Sequence, residues 1–352
     1  MKQLATNHPK KCPKSGPSMP QASPKSASNK PQEWPSMPQA CPQESLYKKN
    51  INKTPTEVLK MYELVAVGQG TYYMDCPVKI GFFFTPEGEV FLIDSGIDKD
   101  TAKKAEKHIE EKAGLLSAII NTHSHADHCG GDKYLQDKYL CPIYARSLEA
   151  AIIENPILEP SFLYGGYPYK ALQNKFLMAK AARASNIEEA CLPEGFEFTD
   201  LPGHYFQQIG IKTPDDVWFV GDSVFGEEII NKYSFSFMYD VERQFETLDK
   251  LLDLKGAFFV PSHGQAGKTI DSLVLSNRKK LVQDLESLKN MCEKGRSWED
   301  LLKEVFDKNS LILDHGQYLL MGSTIRSYLS YLYDKKEIRV DFQENRMIWS
   351  LP

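Results

Sequence analysis

The chain has 352 residues, 41% of them apolar, and a net charge of -5, which supports a large core and gives no global attraction for polyanions or anionic membranes. Its seven cysteines lack paired spacing, so neither a disulfide framework nor a cysteine-rich zinc knuckle is expected and a reducing cytoplasm is the predicted setting. There is no apolar run of about 18 residues and no apolar amino-terminal core, so neither a membrane span nor secretion is predicted.

Residues 1–50 hold nine of the 21 prolines, with eight Lys, two Glu and few aliphatic residues. That is too little apolar surface to offset chain entropy, and residues 1–56 are predicted to be a disordered Pro/Ser/Lys-rich tail. The segment Pro17–Pro24 is repeated at Pro35–Pro42, and Cys12 and Cys41 read as exposed thiols. Such compositions act more often as solvated linkers than as docking segments.

Order is predicted from Tyr62. Strands are expected over Tyr62–Val67, Lys79–Thr85 and Val90–Ile93, with Asp94-Ser95-Gly96 putting a carboxylate at the end of the third. Lys99–Lys112 reads as an amphipathic helix on which His108, among charges, would be solvated. The apolar run Leu115–Ile120 reads as a buried strand leading into Asn121-Thr122-His123-Ser124-His125-Ala126-Asp127-His128-Cys129-Gly130-Gly131. Three of the chain's eight histidines fall in that window, which argues against a chance polar loop. Imidazole nitrogen and carboxylate oxygen suit borderline and transition metals, and a loop can aim alternate side chains at one point. His123 and His125 could share one ion, leaving Asp127 and His128 turned toward a second.

A helix over Lys133–Asp137, a strand over Ile143–Ala145 and a helix over Leu148–Ile153 continue the β/α alternation. It stops between residues 155 and 193. Pro156, Pro160, the run Tyr164 to Tyr169 and a helix-prone Gln173–Ala184 read there as an insertion. It is either a lid, with Tyr164, Tyr167 and Tyr169 on a substrate cleft, or a packed excursion. His204 follows Gly203; a strand over Val217–Val220 gives way to Gly221-Asp222; a helix spans Val241–Leu254; and a strand over Ala257–Val260 runs toward His263-Gly264. A hydrophobic strand ending in Asp or His beside Gly therefore recurs. Strands lying side by side would gather these groups at one sheet edge.

Helices are predicted over Asp271–Lys294, Trp298–Phe306 and Gln317–Tyr333, then strands over Ile338–Phe342 and Met347–Leu351. Residues 277–352 carry 13 basic against 12 acidic side chains, with no stripe of the kind nucleic acid requires, so a packing or lid role is favoured. His315 is assigned a structural role.

His-x-His-x-Asp-His at 123–128, Gly203-His204, Gly221-Asp222, His263 beside Gly264 and the early Asp94 resemble, in order, the metallo-beta-lactamase superfamily. The resemblance covers about residues 60–270. It implies an α/β fold, an αβ/βα four-layer sandwich of two mixed sheets over 57–268, with a helical, winged-helix-like extension over 269–352. It implies that His123, His125 and His204 hold one metal and that Asp127, His128 and His263 hold another. Asp222 would bridge them, and Asp94 would orient ligands from behind. The implied cofactors are two divalent ions, zinc first, with iron or manganese as alternatives. Water shared by two such ions can be hydroxide at neutral pH, with Asp127 or Asp222 accepting the proton. That makes a hydrolase of a small ester, thioester or lactone, for which Ser124 and Cys129 are packing residues.

The bridging Asp222 resembles glyoxalase II thioesterases, lactonases and RNA-processing nucleases rather than true beta-lactamases. His125 stands where flavodiiron proteins carry Glu, so oxygen reduction is not implied. The alternatives are a phosphodiesterase or ribonuclease on the same metals and a single-iron persulfide dioxygenase. The run Tyr205-Phe206-Gln207-Gln208 departs from the small residues many relatives carry after His204, and predicts an altered cleft. A small-molecule substrate is the expected partner, and no feature of the sequence sets an oligomeric state.

Overall fold

Alternation of apolar residues along the strands makes two sheets that can pack face to face. The computed structural model describes residues 61–232 and 235–352; the predicted tail over 1–56, its repeat, Cys12 and Cys41 lie outside the described residues. The first sheet follows chain order: β1 (Leu64–Ala66), β2 (Thr71–Met74), β3 (Ile80–Phe84), β4 (Glu89–Ile93), β5 (Leu115–Ile120), β6 (Ile143–Ala145) and β7 (Ser185–Asn186). Strands β1 to β4 form an antiparallel meander and β4 to β7 run parallel. The parallel crossovers are made by α1 (Lys99–Glu111), α2 (Ala126–Cys129), α3 (Asp132–Tyr139), α4 (Ser147–Glu154) and α5 (Leu158–Tyr164). Asp98 caps α1 by accepting from the Thr101 amide at 3.0 Å, which closes an otherwise orphaned donor.

The second sheet has the order β11-β10-β9-β8, with β8 (Glu197–Asp200), β9 (Ile209–Lys212), β10 (Val217–Phe225) and β11 (Phe258–His263). β10 and β11 are parallel, joined through α6 (Glu227–Lys232) and α7 (Val241–Asp253). Period-two alternation decides what each face meets. Val217 and Phe219 point inward with Ile209, Ile211 and Val260 onto Ile93 and Ile120 of the first sheet. Trp218, Val220 and Val224 point outward onto helices. On the first sheet Val90 and Leu92 likewise turn outward to Ala102, Ala105 and Ile109 of α1. The result is helices, sheet, sheet, helices, the mixed α/β sandwich expected.

The carboxy-terminal extension is helical: α8 (Asp271–Met291), α9 (Trp298–Lys308) and α10 (His315–Asp334). A small sheet of β12 (Arg296–Ser297), β14 (Arg346–Ser350) and β13 (Arg339–Gln343) accompanies it. Its hairpin turns on Glu344 and Asn345, both at positive φ, the requirement of the tight turn that matches strand twist. Leu281, Leu285, Leu288, Ile325, Tyr328 and Leu329 share one buried cluster with Trp218, Val220 and Val224. The extension thus covers the outer face of the second sheet. Among the described residues no helix is long and apolar enough to cross a membrane.

Three expectations are corrected. Gln173–Ala184 is not a helix. Leu177 packs with Leu163 and Leu172 while Ala182 joins the core beside α1, and only extended backbone reaches both. That backbone is held by the Ile153 carbonyl, which accepts from the Ala182 amide at 3.3 Å, and by Gln136, whose amide pairs with both backbone groups of Arg183. His108 is not solvated; its Nε2 lies 2.8 Å from the Tyr62 carbonyl. Asp222 does not follow a strand but sits within β10, all nine residues of which are buried.

Candidate metal centre

Strand ends bring the polar groups to one edge, as the sequence pattern anticipates. Asp94 follows β4, residues 121–128 follow β5, Asp222 lies late in β10 and His263 ends β11. Residues 121–131 are not all loop: Ala126–Cys129 form one helical turn, with His125 at its amino-terminal end. Successive helical residues are rotated by about 100°, so the turn swings Asp127 and His128 away from the face that His123 and His125 share. Gly130 allows this segment to lie against residues 94–97, since a Cβ there would stand 2.0 Å from the Ile97 carbonyl oxygen. The close approach is sealed by the Ser95 amide donating to the His128 carbonyl at 2.7 Å and the Gly131 amide to Gly96 at 3.1 Å. Gly221, at φ 57, gives β10 the irregularity from which Asp222 reaches the site. The Asp222 amide donates to Gln208 Oε1 at 3.1 Å.

The donor atoms converge. His125 Nδ1 lies 3.0 Å from His123 Nε2 and 3.0 Å from His204 Nε2. Asp222 Oδ1 is 3.3 Å from His128 Nε2, and its Oδ2 is 3.4 Å from His263 Nε2 and 3.6 Å from His204 Nε2. Asp127 Oδ2 is 3.4 Å from His263 Nε2. Three groups could each hold a cation, their donor atoms within 4.8 Å of one another: His123, His125 and His204; His123, His128 and Asp222; Asp127, His128 and His263.

The hydrogen bonds on the far sides of the rings fix which nitrogen faces inward. Asp94 Oδ2 lies 2.8 Å from His128 Nδ1, and the Phe237 carbonyl lies 3.1 Å from His204 Nδ1. Both oxygens accept, so both Nδ1 atoms carry a proton and both Nε2 atoms are the ones turned to the site. His128 Nε2 and Asp222 Oδ1 are buried with no hydrogen-bond partner among the described residues. One proton on His125 Nδ1 cannot satisfy two facing nitrogens at 3.0 Å. Buried lone pairs with no donor are costly, and a divalent cation is the group that satisfies them together. The residues therefore fit a metal, and the nitrogen and oxygen set suits zinc. Cys129 contributes no thiolate: its thiol donates to the Ser124 carbonyl at 3.2 Å.

Electrostatics divide the five histidines into two groups. Burial, then the neighbouring imidazoles, holds His123 well below the ordinary histidine value. Burial does the same to His125 and brings His204 down to about 4, so all three are neutral at pH 7. Burial opposes the charge on His128 and His263, but Asp222 beside both, helped by Asp94 and Asp127, raises them. Burial would raise Asp127, yet the His263 ring holds it at about 2. Asp222 is likewise lowered against burial by His263 and His128.

Beside these groups lies a cavity of about 460 Å³ whose wall includes His125, Asp127, His204, Asp222 and His263. Tyr164, Tyr167 and Tyr169, predicted on the cleft, do not line it. They are exposed, and Tyr169 instead hydrogen-bonds His315 at 2.6 Å. The insertion contributes Glu159 and Phe176 in their place. The α5 turn aims Glu159 inward, its Oε1 3.7 Å from His125 Nε2, and burial and then Asp127 raise its carboxyl well above the ordinary value. Glu149 of α4 accepts from the Ser124 hydroxyl at 2.6 Å and the Gln207 amide at 2.6 Å, tying the histidine loop to the segment after His204. Tyr205 is fully buried, its ring centroid 4.0 Å from that of His125. The departure noted at 205–208 thus supports the ligands from behind. Neither glutamate has a spacing signal in the sequence; both lie on helices whose faces are set only by packing.

Residues 75–263 match the family profile of the metallo-beta-lactamase superfamily, whose members are metal-dependent hydrolases. Solved structures that match over most of this chain include two from bacteria. A beta-lactamase domain protein from Burkholderia ambifaria matches with a TM-score of 0.62 at 13% identity, covering 86% of this chain and 96% of that one. A metallo-beta-lactamase family protein from Thermus thermophilus matches with a TM-score of 0.61 at 15% identity, covering 82% and 100%. At these identities the likeness is one of fold. A comparison with curated proteins finds no match.

Proposed function

The chain belongs to the metallo-beta-lactamase superfamily, and on that premise we propose that it is a dinuclear hydrolase of a small ester, thioester or lactone. His123, His125 and His204 would hold one divalent ion and Asp127, His128 and His263 the other, with Asp222 shared. The observation that carries the reading is the place of Asp222, within 3.3–3.6 Å of His128, His263 and His204. A carboxylate among imidazoles of both sets is what a bridging ligand requires. Two divalent ions so held, zinc by preference, would supply Lewis acidity and bring the pKa of water toward neutrality.

This chain's own residues do the remainder. Asp127, a carboxylate facing the site 3.4 Å from His263, can accept the proton of the attacking water, then return it to the leaving oxygen or sulfur. Asp94 keeps His128 in one tautomer and orientation. Phe225, Phe235 and Phe237 on the cavity wall limit competing water. A phosphodiester is disfavoured because, among the described residues, Lys79 is the only Lys or Arg lining the cavity, and its ammonium already donates to the Gly264 carbonyl at 2.6 Å.

The test is elemental analysis of protein purified without added metal, beside His263→Ala. About two zinc or manganese ions per chain, falling to about one in the variant, with ester, thioester or lactone turnover lost, is the expected result. One iron per chain, unchanged in the variant, would refute it.

A further inference from the structure

The cavity wall combines two chemistries. One part is the cluster of histidines and aspartates; the other is apolar and includes Phe225, Ile229, Phe235, Phe237, Leu320 and Met321, with Phe225 and Phe237 packed beside His204. Leu320 and Met321 belong to α10, beyond the residues 75–263 that match the family. Gln317, Leu320, Met321 and Thr324 all line the cavity. Their spacing of three, four and seven puts them on one face of α10. The Thr324 hydroxyl donates to the Leu320 carbonyl of its own helix at 2.8 Å, so it makes no demand on a ligand. The insertion docks on the same helix, with Leu163, Leu172 and Leu177 clustered around Leu319. α10 is thereby held as a fixed wall.

Charge narrows the occupant. Lys79 is engaged by Gly264 and has Asp75 at 3.9 Å, while Asp75 and Glu228, both exposed, add negative charge to the lining. Among the described residues, an anionic substrate tail would find no free cation and two carboxylates. Size narrows it further: the whole cavity, histidine and aspartate cluster included, is about 460 Å³, in the range of clefts that enclose a small organic molecule.

We propose that the apolar part of this wall lines an acyl-chain pocket beside the histidines, that the substrate is an uncharged medium-chain acyl ester, thioester or lactone, and that Leu320 sets the chain length accepted. The proposal rests on the hydrolase reading above. Water adds to the acyl carbonyl carbon and the bond to the alcohol oxygen or thiol sulfur breaks. An ester or thioester gives the fatty carboxylate and a free alcohol or thiol, a lactone gives one hydroxycarboxylate, and in each case one proton passes to solvent.

The experiment compares the metal-loaded parent with Leu320→Trp and Leu320→Ala on p-nitrophenyl acetate, butyrate, octanoate and dodecanoate. In parallel, binding of octanamide, an uncharged chain that is not cleaved, is followed by calorimetry. For the parent, kcat/KM should rise about fourfold per methylene up to octanoate. The rise should stop at butyrate in Leu320→Trp, with metal content unchanged, and extend to dodecanoate in Leu320→Ala. Octanamide should bind the parent and not Leu320→Trp. A parent profile flat in chain length, identical profiles in parent and variants, or octanamide bound equally by parent and Leu320→Trp would overturn the pocket. No turnover of any ester, with octanamide binding lost in Leu320→Trp, would sink the hydrolase reading and leave the pocket standing.

Discussion

On the dinuclear proposal, replacing Asp94 by Asn should weaken one metal ion and spare the other. Asp94 Oδ1 accepts from the Thr122 amide at 2.8 Å, and its Oδ2 accepts from the Thr122 hydroxyl at 2.9 Å and from His128 Nδ1 at 2.8 Å. Asn keeps one oxygen for Thr122 but turns an NH2 toward His128 Nδ1, so two donors face each other. The contact survives only if His128 moves its proton to Nε2, which is the atom 3.3 Å from Asp222 and the only one that can face the metal. The lone pair a metal needs is then gone. Losing such an outer partner typically costs about 10- to 100-fold in affinity, or about 1.4–2.7 kcal/mol. His123, His125 and His204 use other partners, so the ion they hold should keep its affinity. Asp94 sits at φ 61, a conformation Asn tolerates, so the exchange adds no backbone strain. Competition against a chromophoric chelator, fitted with two sites, reads both constants. Equal weakening of both ions, or two parent-like constants, would refute the tautomer argument.

Gly130→Ala tests the approach of the histidine loop to residues 94–97. With the new methyl 2.0 Å from the Ile97 oxygen, overpacking should cost about 1–3 kcal/mol, and zinc retention on dialysis should fall with it; a parent-like urea midpoint would contradict the packing. Asp284→Asn tests a buried carboxyl in the helical layer. Burial raises Asp284 to about 7 against the pull of Lys280, and its Oδ2 has no hydrogen-bond partner among the described residues. The folded state therefore binds a proton that the unfolded chain releases near pH 4, so stability falls as pH rises from about 4 to about 7. The variant should gain about 2–4 kcal/mol over the parent at pH 8 and little at pH 4, read by urea unfolding at both; a difference that does not vary with pH would be the wrong answer.

Local pattern carries much of the fold. β5 and β6 have the predicted limits, because short apolar runs bounded by polar residues leave little choice. The strand β2, Thr71–Met74, has no counterpart among the expected elements, and neither have β8 and β9. Their sequences, TYYM, EFTD and IGIK, are too short or too mixed for periodicity to speak. They are strands because neighbours in the sheets supply their hydrogen bonds: β2 lies between β1 and β3, and β9 between β8 and β10. Gln173–Ala184 fails in the other direction. Its residues favour helix, but two separated hydrophobic clusters each claim one of them, and tertiary contacts outweigh propensity summed over so few residues.

The centre divides along the same line. Ligands must stand at strand ends and beside glycines because backbones have to approach closely there, and that demand writes itself into contiguous sequence as His-x-His-x-Asp-His or Gly-Asp. Asp94 is legible for this reason. Glu159, Phe176 and Leu320 come to the cavity through packing, and packing constrains only that a residue be of suitable size on the correct face. Many sequences meet that condition, so none is diagnostic. The three tyrosines at 164, 167 and 169 show the cost of reading composition without a face: an aromatic run in an insertion suggests a cleft wall, yet α5 presents Glu159 to the site and the tyrosines lie at the surface. The reaction class of such a chain is therefore written locally, at strand ends. On the acyl-pocket proposal its choice of substrate would be held in the helix α10 and in the insertion packed on it, where one substitution would change the substrate while every motif residue stays in place.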